Sequence, residues 1–208
     1  MKNIVLKSAL FTLAAAIVAA VIAVIILFFG FPKTTAGIFE NAGNYKFASR
    51  FAAMQYSRSH DIDDLGRTVM DSIFAEDDEY LVKYGSELVE KSNFDAYCQK
   101  QDDRYSKGDK SEYRLSFKQY VCGQVACAVY RSEDIDKALA IVDKALEGVD
   151  GFPTGNALVP LVVEVSRKGD GEVAVKLRDR LKNITPKDSE KEYYQRVTSQ
   201  LNSIIGED

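Results

Sequence analysis

The chain has 208 residues, room for one globular domain and a short appendage. Its 46% hydrophobic and 28% charged content is that of a folded chain rather than a disordered one. Apart from Lys2, Lys7 and Lys33 it holds 24 basic against 31 acidic residues, so the bulk of the chain carries about −7 without a basic stripe, which argues against a nucleic-acid partner.

The first element is an uncharged run from Ser8 to Phe31, SALFTLAAAIVAAVIAVIILFFGF. As a helix, residues 8–31 would extend about 36 Å, slightly more than a hydrocarbon core. Apolar side chains surround it, so it has no face to turn toward water. This predicts a transmembrane helix, with residues 1–7 as a short N-terminal tail and 33–208 as a soluble helical domain. Thr34-Thr35-Ala36 would pass as a cleavage site, but the run is much longer than the apolar core of a signal peptide, so an uncleaved anchor is expected. Lys2, Lys7 and the α-amine stand close to the N-terminal end of the span, against Lys33 close to the other end and Lys46 and Arg50 further along. That predicts a single-pass membrane protein with a cytoplasmic N-terminus and an extracytoplasmic C-terminal domain.

After Pro32 the apolar spacing is helical throughout, and alternating strand patterns are missing. Helices are expected near 33–42, 44–59, 62–75, 77–91, 93–104, 110–131, 134–148, 154–168, 170–183 and 187–205. Asn44, Asp77 and Asp134 stand where N-caps belong. The acidic groups Asp61-Ile62-Asp63-Asp64 and Glu76-Asp77-Asp78-Glu79 lie at helix starts, where they complement the dipole; they lack the glycine and terminal Glu of a calcium loop.

A repeat emerges when helix openings are superposed: Gly43-Asn44-Tyr45-Lys46-Phe47-Ala48, Glu76-Asp77-Asp78-Glu79-Tyr80-Leu81, Glu133-Asp134-Ile135-Asp136-Lys137-Ala138 and Gly169-Asp170-Gly171-Glu172-Val173-Ala174. Their sixth residues are separated by 33, 57 and 36 positions. With Leu158, Leu161, Val162, Val165, Ala174, Leu181 and Pro186, and again with Cys122, Val125, Ala126, Val129, Ala138, Val142 and Ala145, the chain resembles the tetratricopeptide-repeat (TPR) family. The resemblance implies an all-α fold, an N-terminal transmembrane helix followed by TPR-like helix-turn-helix repeats in an α-solenoid. Most aromatic residues of the motif are aliphatic here, and Pro160 falls where it should kink or delay a first helix.

In that register Tyr120, Tyr130 and Arg131 fall on the surface lined by first helices, with Asn156 and Arg167 in corresponding places one unit on. Arg131 and Arg167 are 36 residues apart. Two guanidinium groups on one concave face suit a peptide carboxylate, and the resemblance implies such a clamp. The aromatic pairs Phe47/Phe51 and Tyr80/Tyr84 are expected to pack between helices. Cys98 and Cys122 would reach each other across neighbouring helices, a possible disulfide if the domain is extracytoplasmic. His60 is the only histidine, and neither a metal site, a phosphate loop nor a catalytic set is legible, so no cofactor is expected.

The function expected is that of a membrane-anchored protein–protein interaction module, a scaffold or an assembly and quality-control factor for envelope proteins, with a protein or peptide as partner. In layout, an anchor followed by TPR-like helices is similar to bacterial ancillary subunits of the secretion translocon. A competing expectation is an extracytoplasmic receptor that binds a small molecule or glycan in an aromatic-lined pocket. An enzyme is not expected.

Overall fold

A computed structural model describes residues 2–105, 116–148 and 158–206. Every regular element among them is helical. Helix α1 runs Lys2–Gly30, so the expected tail is already helical. Its stretch Leu10–Gly30, 21 residues, is long and apolar enough to cross a membrane, and none of that stretch is buried in the protein. Phe31 breaks the helix, and Pro32, which supplies no N–H and a preset φ, starts α2 (Pro32–Asn41).

Then follow α3 (Tyr45–Ser59), α4 (Ile62–Phe74), the short α5 (Asp78–Tyr80), a π turn Leu81–Gly85, α6 (Ser86–Glu90) and α7 (Phe94–Tyr105). The C-terminal half holds α8 (Phe117–Arg131), α9 (Ile135–Leu146), α10 (Val159–Lys168), α11 (Gly171–Leu181) and, after a 3-10 turn, α12 (Lys191–Ile205). Neighbours in sequence pack in pairs: α2 on α3, α8 on α9, α11 on α12. The consecutive helices α3 and α4 also pack extensively, and longer contacts join the π turn to α8, α10 to α8, and α12 to α10.

The sequence repeat has a local cause. At all four openings a residue with positive φ ends the preceding helix: Gly43 (71°), Glu76 (51°), Glu133 (68°) and Gly169 (65°). The next residue's N–H returns to a carbonyl five positions back, at 2.8 Å for Asn44, 3.0 Å for Asp77, 3.3 Å for Asp134 and 3.1 Å for Asp170. Its side chain then accepts from the third N–H of the new helix. A Schellman ending and an Asx N-cap are thus fused in two residues, satisfying backbone groups of both helices. Asn44, Asp77 and Asp134 cap as the sequence predicts. The sixth residues Ala48, Leu81, Ala138 and Ala174 are all buried, where helices cross.

Two other expectations resolve simply. Helix α10 begins at Val159, so Pro160 sits in its first turn and delays the start instead of kinking the interior. The expected helix over 110–131 is observed from Phe117, with Ser116 as its N-cap accepting from the Gln119 N–H; residues 110–115 lie outside the described ones.

Two glycines set interhelix distances. A Cβ on Gly85, in the π turn, would stand 2.6 Å from Val125 Cγ2, so glycine lets α8 close on that turn. A Cβ on Gly66 in α4 would stand 1.8 Å from Tyr97 Oη, because the buried Tyr97 ring of α7 lies against the α4 backbone. Tyr97 packs edge-on against Phe117 with ring centroids 5.7 Å apart. These contacts draw α7, which has no counterpart in the other pairs, over α4 and α8.

Candidate functional site

Two open grooves lie beside α8. The larger, about 1040 Å³, runs between α2, α4, α7 and α8 and is walled by Tyr45, Met70, Phe74, Tyr97 and Phe117 among charged residues. The smaller, about 540 Å³, lies between α8 and α10 over Gln124, Cys127, Val159 and Val163. Tyr120 lines both and is their junction. Its ring is half-buried, burial raises its pKa, and its hydroxyl has no hydrogen-bond partner among the described residues.

The wall of the larger groove holds a carboxyl pair that the sequence reading missed. Arg67 Nε donates to Glu40 Oε1 at 2.5 Å, and Arg67 Nη1 donates to the Lys33 carbonyl at 3.1 Å. Asp71, one turn beyond Arg67 on α4, is almost fully buried and its Oδ2 has no partner. Burial, then the charge of Glu40 and a hydrogen bond to it, push the Asp71 pKa up to about 8 against the pull of Arg67. Glu40 is held below the usual carboxylate range, chiefly by its hydrogen bond to Arg67. Burial and the neighbouring Glu40 carboxylate therefore favour the protonated form of Asp71 at neutral pH. The groove therefore offers an acid that can donate a hydrogen bond, or release its proton when a cation arrives. Spacing alone marks Arg67 and Asp71 as one face of α4; that Glu40 of α2 meets them is a tertiary fact.

The other expected site residues have different surroundings. Tyr130 is fully buried, and its hydroxyl donates to Asp170 Oδ2 at 3.0 Å, so it ties α8 to the α11 cap rather than lining a surface. Burial and that carboxylate raise its pKa. Arg131 is gripped by Asp78, Nε to Oδ2 at 2.7 Å and Nη2 to Oδ1 at 2.5 Å, with Glu164 at 3.5 Å. Its fork is filled by the chain's own carboxylate. Arg167 pairs with Glu164 Oε2 through Nε and Nη2 at 3.1 and 2.7 Å. The two guanidiniums thus meet at Glu164, with the Arg167 side chain 69% exposed. Asn156 lies outside the described residues.

Among the aromatic pairs, Tyr80 and Tyr84 sit 5.3 Å apart. Phe47 instead stacks on Phe39 at 5.3 Å and keeps its outer face in solvent. His60 is an exposed, left-handed C-cap of α3 with φ 51°.

Cys98, Cys122 and Cys127 are all buried, and no disulfide joins them in this structure. Burial pushes Cys122 up to about 12 and Cys127 to about 11. Such thiols resist alkylation, because the thiolate is the nucleophile. Mass spectrometry should find the folded chain essentially unmodified by iodoacetamide, and three adducts after denaturation without reductant. One adduct instead of three would mean a disulfide. No group of three or more His, Cys, Asp or Glu side chains among the described residues is placed to hold a metal ion.

No known protein family, curated protein or solved structure matches the chain.

Proposed function

We propose that the chain is a membrane-anchored, TPR-like interaction module whose paired grooves bind an extended segment of another protein. The observation that carries this reading is the meeting of the two grooves at Tyr120. A continuous open trough with alternating apolar and charged walls suits a peptide, which brings both kinds of group at short intervals. In support of the repeat architecture, α8/α9 and α10/α11 pack as pairs, first helix on first helix. Small or aliphatic residues Ala36, Val69, Ala126 and Val162 are buried at matching places in α2, α4, α8 and α10. On this reading α7 is an insertion between the second and third units. It accounts for the 57-residue gap and builds one wall of the larger groove.

In this proposal α1 spans the membrane with a cytoplasmic N-terminus, and the partner is an extracytoplasmic segment of an envelope protein whose assembly or quality control the module serves. A small-molecule receptor draws on the aromatic residues of the larger groove, but the openness of both grooves favours a peptide.

The test places a photo-crosslinking amino acid at Tyr120, Val163 and, as control, Arg196 of α12 in native membranes. The same protein adduct should form from positions 120 and 163 and not from 196. Adducts equally abundant at all three positions, or absent from the first two, would remove the groove as a binding site.

A further inference from the structure

The end of α1 is not a loose tether. Phe28 packs edge-on against Phe39 of α2 and Phe51 of α3, with centroids 5.9 and 5.8 Å away, and Phe29 meets Phe51 at 6.3 Å. Arg58 Nη2 donates to the Phe29 carbonyl at 2.8 Å, and Thr35 Oγ1 donates to the Phe31 carbonyl at 3.1 Å. Helices α2 and α3 therefore clasp the last turn of the span, and whatever surface they present starts at the edge of the hydrocarbon.

That surface is apolar and basic. Phe31, Ile38 and Phe47 are 59%, 55% and 48% exposed, high values for large apolar side chains. Phe47 stacks on Phe39, which itself touches Phe28, so it lies two ring contacts from the span. Lys33, Lys46, Arg50 and Arg58 are all exposed on the same two helices, Lys33 with Asp64 Oδ1 3.9 Å from its Nζ. Residues 31–59 hold those four cations against one acid, Glu40, whereas residues 61–208 hold 21 basic against 30 acidic residues. The positive charge of an otherwise acidic domain is thus collected where the chain leaves α1. Aromatic side chains at the interface and cations facing headgroups are the pattern that a bilayer selects.

We infer that the α2–α3 end of the domain is a membrane-interface surface, with Phe31, Ile38 and Phe47 inserted at acyl-chain level and Lys33, Lys46, Arg50 and Arg58 facing anionic headgroups. This rests on the reading of α1 as a membrane span, and it goes further by assigning a lipid-binding role to the folded domain. Its occupant is lipid because the patch is continuous with the apolar surface of α1 and opposite in charge to an anionic leaflet. An interfacial layer of roughly 5–8 Å per leaflet is deep enough to take one ring and the adjoining lysine.

The chain has no tryptophan, which makes single-site reporters clean. The full chain is reconstituted into vesicles of phosphatidylcholine and phosphatidylglycerol, with or without bromine on the acyl chains, carrying Val18→Trp, Phe47→Trp or Tyr193→Trp. Circular dichroism checks that each variant is folded. Emission from position 18 should be quenched strongly and that from position 47 by at least half as much, with a blue shift. Position 193, in α12, should be untouched. Removing phosphatidylglycerol should lower quenching at position 47 at least two-fold.

Quenching at 18 with none at 47 would overturn the interface surface while leaving the span intact. No quenching at either would overturn the span and this surface with it. A blue shift at 47 without quenching would mean that protein, such as a second copy of the chain, covers the patch. Equal quenching with and without phosphatidylglycerol would overturn the role of the cations.

Discussion

Gly66→Ala should destabilise the domain by about 2 kcal/mol and loosen one wall of the larger groove. The added methyl would fall 1.8 Å from Tyr97 Oη and 2.3 Å from its Cζ, so the ring must leave its seat on α4. Because Tyr97 is buried and packed against Phe117, it has no free rotation into solvent, and α7 must move with it. The double variant Gly66→Ala/Tyr97→Leu should be less destabilised than the two single changes summed, by about 1 kcal/mol or more. Denaturant unfolding of the four proteins in detergent measures this. Strict additivity would show that Gly66 is not held small by Tyr97. Crosslinking from position 120 should weaken in Gly66→Ala and return in the double variant.

Asp71→Asn should change how stability depends on pH. The folded-state pKa of Asp71 is raised from 3.8 to about 8, so its favourable contribution is complete below about pH 4 and is lost as pH rises toward 8. Glu40 has the opposite sign. Its pKa is lowered, so its contribution is present above the ordinary carboxylate range and is lost on acidification. The window from pH 5 to 8 therefore isolates Asp71. Linkage sets a ceiling of about 4 kcal/mol on the loss across it, one proton at about 1.4 kcal/mol per pH unit over the three units. Asparagine cannot ionise, so Asp71→Asn should lose far less stability between pH 5 and pH 8 and be the more stable protein at pH 8. Parallel profiles for the two proteins would mean that Asp71 is ionised throughout.

Helix boundaries were legible because their causes are local. The pairing of a left-handed residue with an Asx cap, as in Glu133-Asp134, sits in adjacent positions, and it repeats because one backbone problem recurs. The long apolar helix α1 was legible for the same reason: it depends on composition over one continuous run. Tyr120, on the expected helix α8, lines both grooves.

The rest of the site depended on residues far apart in sequence. Arg131 lies on the expected helix, but Asp78, 53 residues earlier, closes on its guanidinium. An acid in the first turn of α5 had an adequate local explanation as a dipole partner, so nothing in the sequence signalled its second role. Tyr130 points to the Asp170 cap, 40 residues on, and so leaves the surface. Glu40, Arg67 and Asp71 come together only because α2 packs beside α4.

The clasp around Phe28 and Phe29 has a mechanical consequence. A module on a flexible linker sweeps a volume, and its reach grows with linker length. Here Phe31 alone separates α1 from α2, and Arg58 and Thr35 pin the junction. With α1 in a bilayer, the trough has a fixed height and a fixed heading. It scans a thin shell parallel to the membrane, turning only as α1 spins or tilts. Bilayer thickness then becomes an input. A thicker or thinner membrane tilts a 21-residue span differently and swings the trough with it, so the lipid environment would select which membrane neighbours the groove meets.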